Sequence, residues 1–129
     1  MNTESQLNSI LIIDDEPSVL KFLRLFLSRN GFRVDVAENG EEGINKIETH
    51  AYSLIVTDIK MQSLSGDQLL YYLRKVLNDV TPVVAMSGTP RFLGYDEFDA
   101  VLHKPCSIKE ILKILCRCLS ESCRQGVKR

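Results

Sequence analysis

Short apolar runs alternate along the chain with longer segments in which apolar residues recur every three or four positions. Ile10-Leu11-Ile12-Ile13, Leu54-Ile55-Val56-Thr57 and Pro82-Val83-Val84-Ala85-Met86 are continuous apolar runs, rich in β-branched residues. Runs of this kind read as strands buried on both faces. Phe32 to Ala37 alternates Phe32, Val34 and Val36 against Arg33 and Asp35, so it reads as a strand with one less buried face. Ala100 to His103 reads as a short fifth strand. The intervening segments carry the helical period. After Pro17, the spacing of Val19, Phe22, Leu23, Phe26 and Leu27 predicts an amphipathic helix that Asn30-Gly31 ends. Asn39 is placed to cap a helix through about Thr49, with Ile44 and Ile47 inward. A third helix is expected from about Ser65 to Leu77, with Leu69, Leu73 and Val76 on one face. Thr89 to Asp99 holds at most a short helix. Ser107 caps a last helix whose inner face is Ile108, Ile111, Leu112, Leu115 and Leu119. Strand-helix alternation predicts a parallel sheet covered on both faces, with all strand carboxyl ends at one edge.

Length and charge narrow the picture. With 129 residues the chain suits one domain, with a core over about 9–120, a leader over 1–8 and a tail over 121–129. A net charge of −1 supplies no global attraction to nucleic acid or to an anionic membrane. No apolar run approaches the roughly 20 residues of a membrane span, and the polar start lacks a signal-peptide core. A cytoplasmic location is expected. Cys106, Cys116, Cys118 and Cys123 cluster late in the chain, but their spacing suits neither a CxxC redox motif nor a zinc site. They are expected as reduced thiols.

The chemistry lies at the strand ends. The first strand runs into Asp14-Asp15, the third ends in Asp58, the fourth in Ser87-Gly88, and Lys104-Pro105 follows the fifth. Open α/β sheets place their ligands at this edge. An acid that merely ends a strand is common, so each feature is weak alone. Together they bring three carboxylates, a hydroxyl and an ammonium to one rim. Crowded carboxylates disfavour their charged forms unless a cation sits among them. Mg²⁺ suits such a site, since it commonly takes one or two carboxylates and keeps waters and phosphate oxygens. A carboxylate beside such an ion can act as a nucleophile toward phosphorus. Lys104 and the Ser87 hydroxyl are then placed to hold the phosphoryl oxygens.

These residues, in this order and on these strands, resemble the response-regulator receiver domain of two-component signalling, of the chemotaxis-regulator type. The resemblance runs from about Ile10 to Leu119 and includes the loop Asp58-Ile59-Lys60-Met61 with Gly66. It implies an α/β, flavodoxin-like, doubly wound five-stranded parallel sheet of order 2-1-3-4-5. It implies Asp58 as phospho-acceptor, with Asp15 and Asp58 as direct Mg²⁺ ligands. Asp14 would act mainly through water, and the Lys60 backbone carbonyl would complete the set. It further implies Lys104 as the phosphate-sensing lysine, Ser87 as the switch hydroxyl, Gly88 in the adjoining loop, and a cis peptide bond before Pro105. The implied donor is a sensor histidine kinase or a histidine phosphotransfer protein. The implied output is an altered protein contact or a homodimer, with no direct nucleic acid or membrane partner. Lys60, two residues past the acceptor, is a candidate for tuning the lifetime of the aspartyl-phosphate.

The chain departs from the family in three places. Val101 stands where an aromatic residue is usual, with Tyr95 and Phe98 nearby. Only sixteen residues separate Ser87 from Lys104, so the helix between them is expected to be short. Gln62 and Cys106 replace a usual Pro and Phe. These departures keep a second reading open, a pseudo-receiver that binds protein without phosphorylation. A haloacid-dehalogenase-like phosphatase would need an Asp-x-Asp motif, which Asp14-Asp15-Glu16 lacks. A flavodoxin would need a phosphate loop where these acids stand. A Walker loop is absent.

Overall fold

The computed structural model describes residues 8–88 and 97–128, with the backbone path alone given for 121–128. The leader over 1–7 and most of the expected short helix, with Tyr95, lie outside the described residues. The elements run β1 (Ser9–Ile13), α1 (Pro17–Arg29), β2 (Arg33–Ala37), α2 (Gly40–Thr49), β3 (Leu54–Asp58), α3 (Gly66–Tyr71), β4 (Val83–Ser87), β5 (Ala100–His103) and α4 (Ile108–Lys128). A π-helical turn, Tyr72–Val76, continues α3. All strand pairs are parallel, and the sheet order is β2-β1-β3-β4-β5.

Successive side chains of a strand point to opposite faces, which explains the continuous apolar runs. Ile10, Ile12, Leu54, Val56, Val84, Met86 and Leu102 pack under α1 and α4. Leu11, Ile13, Ile55, Val83 and Ala85 pack under α2 and α3. Burying a side chain of this size contributes roughly 1.5–3 kcal/mol, so β1, β3 and β4 form the rigid centre. β2 lies at the edge and is less buried, as its alternation predicts.

Local capping follows the expected residues. Asn39 accepts a hydrogen bond from the Glu42 amide at 2.8 Å. Ser65 and Gln68 form a reciprocal cap on α3, as Ser107 and Glu110 do at the start of α4.

Several helix faces differ from expectation. In α1 the buried residues are Leu20, Leu23 and Leu27, while Phe22 is 48% exposed and stacks on Phe26. Two apolar stripes overlap on this helix, and the sheet takes the leucine stripe. The helix expected to run regularly to Leu77 takes an extra residue into its last turn. The Leu77 amide bonds to the Tyr72 carbonyl, five residues back. That step rotates Val76 outward, to 52% exposure. In α4 the core residues are Ile111, Leu115 and Cys118, and Ile108 is exposed. The helix also continues through Lys128, across residues expected as a tail.

Arg74, in the π-turn, donates to the Asp79 and Thr81 carbonyls, both at 2.9 Å, and to Asp99 at 3.3 Å. Asp99 in turn accepts from the Val83 amide at 2.7 Å. One guanidinium thus ties the end of α3 to the starts of β4 and β5.

Candidate functional site

Parallel pairing brings the ends of β1, β3, β4 and β5 to one rim. Asp14 follows β1, and its amide donates to the Ala37 carbonyl at the end of β2. Its side chain is fully buried, with Oδ1 accepting from the Glu16 amide at 2.9 Å. Asp58 ends β3 and is 8% exposed, and its Oδ1 accepts from the Ile59 amide at 2.9 Å. The same amide also donates to the Met86 carbonyl at 3.1 Å, which fixes the exit from β3 against β4. Ser87 is buried at the end of β4. The Lys104 amide donates to the Ser87 carbonyl at 2.7 Å, so β5 delivers its lysine beside that serine. The Lys104-Pro105 peptide is cis.

The Lys104 ammonium donates to Oδ2 of Asp14 at 3.3 Å and to Oδ2 of Asp58 at 3.4 Å. Glu16 lies 3.9 Å from the same nitrogen. Asp14, Asp15 and Asp58 each offer an oxygen, all within 4.8 Å of one another. They form the one such acidic group among the described residues. The rim therefore brings together Asp14, Asp15, Asp58, Ser87 and Lys104. Lys60, Gly88 and Pro105 sit in the flanking loops, exposed. Among the described residues Cys106 and Cys116 are free thiols.

The electrostatics follow from burial. Burial pushes the Asp14 carboxyl above the usual range, the Asp58 charge adding to it, while the Glu16 amide and Lys104 pull the other way. Burial raises Asp58 too, and Asp15 adds to it, against Lys104 and the Ile59 amide. Burial alone would lower Lys104, but the charges and hydrogen bonds of Asp14 and Asp58 outweigh it and its pKa stands raised. The cluster thus holds more negative charge than one ammonium compensates. A hard divalent cation with oxygen ligands fits that donor set.

A pH dependence follows. With raised pKa values the folded chain holds protons that the unfolded chain has already released. Between the unfolded carboxylate value near roughly pH 4 and the raised values of Asp14 and Asp58, the native state binds more protons. Stability contributed by these groups therefore falls as pH rises through that window. Thermal melts in chelator across the window should show this decline, and it should shrink in Asp14→Asn. An unchanged slope in that variant would rule out Asp14 as a source.

Two further residues bear on the rim. Gly66 packs against Asp58: a Cβ there would lie 2.6 Å from the Asp58 carbonyl oxygen. Its amide donates to the Ile59 carbonyl at 2.9 Å and closes the loop. Phe98 is buried in the core under α2 and α3. The Asp99 amide bonds to the Val83 carbonyl, which places Phe98 at the opposite end of β4 from Ser87. A strand of that length separates them by roughly 13 Å, so Phe98 does not partner Ser87.

The family model for the response regulator receiver domain matches residues 10–116. Response regulator GtcR of Aneurinibacillus migulanus is 38% identical over 99 residues, covering 70% of this chain and 40% of its own length. The chain spans half or less of the length of the first curated relatives it matches. Among solved structures, the Francisella response regulator 1452 receiver domain is 31% identical, with a TM-score of 0.82 over 89% of this chain and 98% of that one. Response regulator TrrA of Thermotoga maritima, solved in complex with Mg²⁺ and BeF, is 27% identical, with a TM-score of 0.80 over 87% of this chain and 99% of that one.

Proposed function

The chain belongs to the response-regulator receiver-domain family, and we propose on that premise that Asp58 accepts a phosphoryl group and that the rim around it reads the result. The carrying observation is the Lys104 ammonium, within 3.4 Å of both Asp14 and Asp58 while three carboxylates crowd the same rim. Such an arrangement suits a divalent ion among the carboxylates and a phosphoryl oxygen on the ammonium. The complex of TrrA with Mg²⁺ and BeF supports this reading.

The Asp58 carboxylate attacks phosphorus on a phosphohistidine of a sensor kinase or phosphotransfer protein. An oxygen–phosphorus bond forms, the nitrogen–phosphorus bond breaks, and its electron pair stays on the imidazole. Asp14, Asp15, Asp58 and the Lys60 carbonyl would hold Mg²⁺, whose charge offsets that of the carboxylates and the phosphoryl oxygens. The Ile59 amide fixes one Asp58 oxygen and so orients the nucleophile. Lys104 exchanges a carboxylate for a phosphoryl oxygen, and the Ser87 hydroxyl, on the adjacent strand end, takes another. The switched surface then alters contact with an output protein or a second copy. Among the described residues no helix is long and apolar enough to cross a membrane.

Incubation with Mg²⁺ and acetyl phosphate, read by intact mass, tests the acceptor chemistry. An unmodified mass under conditions that label a control receiver would favour the phosphorylation-independent reading. Lys60 projects from the loop after Asp58 and is exposed. We expect Lys60→Ala to shorten the aspartyl-phosphate lifetime several-fold by opening a path for water. An unchanged decay rate would leave Lys60 as an ordinary surface lysine.

A further inference from the structure

The loop from Ile59 to Ser65 is held in an unusual way. Ser63 has a φ of +60°, in the left-handed region that disfavours a residue with a side chain. Around it the Leu64 amide bonds to the Gln62 carbonyl at 2.7 Å, a three-residue turn. Such a γ-turn with positive φ is strained, so something outside the turn must hold it. Leu64 supplies that hold. Its side chain lies so close to Gly40 that a Cβ there would sit 2.6 Å from Leu64 Cδ2 and 2.8 Å from its Cβ. Gly40 opens α2 directly after the Asn39 cap. The corner before it is pinned twice: the Asp14 amide bonds to the Ala37 carbonyl at 3.1 Å, and the Glu38 amide to Glu42 at 2.8 Å.

Leu64 therefore links two halves of the rim through something other than the sheet. On one side is the loop that carries Lys60 and closes on Asp58 through Gly66. On the other is the corner that backs Asp14. We infer that Leu64, seated against Gly40, is a positioning residue that sets the spacing between the Lys60 carbonyl and the carboxylates, and with it the affinity for the divalent ion. The inference rests on the reading of this rim as an Mg²⁺ site. Gly40 is required because any side chain would expel Leu64.

Calorimetric titration of the full chain with Mg²⁺, beside thermal melts, tests this. Leu64→Ala and Gly40→Ala should each raise the Mg²⁺ Kd about 10-fold, the low end for a lost supporting contact around a metal. Leu64→Met, which refills the notch, should stay within twofold of the unmodified chain. If Leu64→Ala does not fold, Leu64→Val carries the same comparison. A lowered melting temperature with Kd unchanged in both single variants would overturn the inference and make Leu64 a packing residue only. No Mg²⁺ binding by the unmodified chain would instead remove the reading of the site, and the inference with it.

Discussion

Asp58→Asn is expected to abolish labelling by acetyl phosphate, with no acyl-phosphate mass adduct after an incubation that saturates the unmodified protein. The amide keeps the shape of the carboxylate and its contact with the Ile59 amide, but it is no nucleophile. Loss should be complete rather than partial, because every other carboxylate at the rim has a different place. Asp14 is buried under Lys104 and Asp15 is solvent-facing. The same variant should fold at least as well as the parent in metal-free buffer, since it removes a charge that burial disfavours. Residual labelling on Asp14 or Asp15, mapped by borohydride trapping, would mean that the acceptor has been misassigned.

The second large effect concerns Lys104. Lys104→Met removes the one ammonium bonded to both Asp14 and Asp58. In metal-free buffer at neutral pH this should cost about 2 kcal/mol, below the full penalty for orphaning a buried charge because the lysine is partly solvated. For a domain of this size that is a fall of roughly 5–10 °C in Tm. The instructive part is the response to Mg²⁺. A cation that shares the carboxylates with Lys104 must bind against its charge. With the lysine gone, Mg²⁺ should bind more tightly and raise Tm by more in the variant than in the parent. Paired melts with and without Mg²⁺ measure this difference. An equal or smaller shift in the variant would place the ion away from the cluster.

Much of this rim was legible because parallel sheets have a simple grammar. Strands buried on both faces must be apolar throughout, so the first polar residue marks the exit, and the exits share one edge. Asp14, Asp58, Ser87 and Lys104 stand at or just past those exits, and the structure brings them together. Elsewhere the pattern was ambiguous for physical reasons. α1 is so rich in apolar residues that two stripes satisfy the helical period, and only docking chooses Leu20 over Phe22. The π-turn at Tyr72–Val76 leaves no mark in the spacing, yet it turns Val76 out. The polar composition after Leu119 suggested an end to the last helix, but polarity limits burial and not helix formation. The contacts of Leu64 with Gly40 and of Gly66 with Asp58 join residues from different segments, and no local period encodes them.

The double grip of Lys104 has a consequence in charge counting. Three carboxylates against one ammonium leave the metal-free rim with a surplus of two negative charges. One divalent ion cancels that surplus, and phosphorylation of Asp58 then adds about one negative charge, because the phosphoryl group carries about two and the charge of the carboxylate is lost in the new bond. Filled and phosphorylated, the rim would thus carry a surplus of about one negative charge, between the neutral filled rim and the empty one. A partner that recognises the phosphorylated state must then respond to where the negative charge sits and how far it protrudes, because the total changes by only about one.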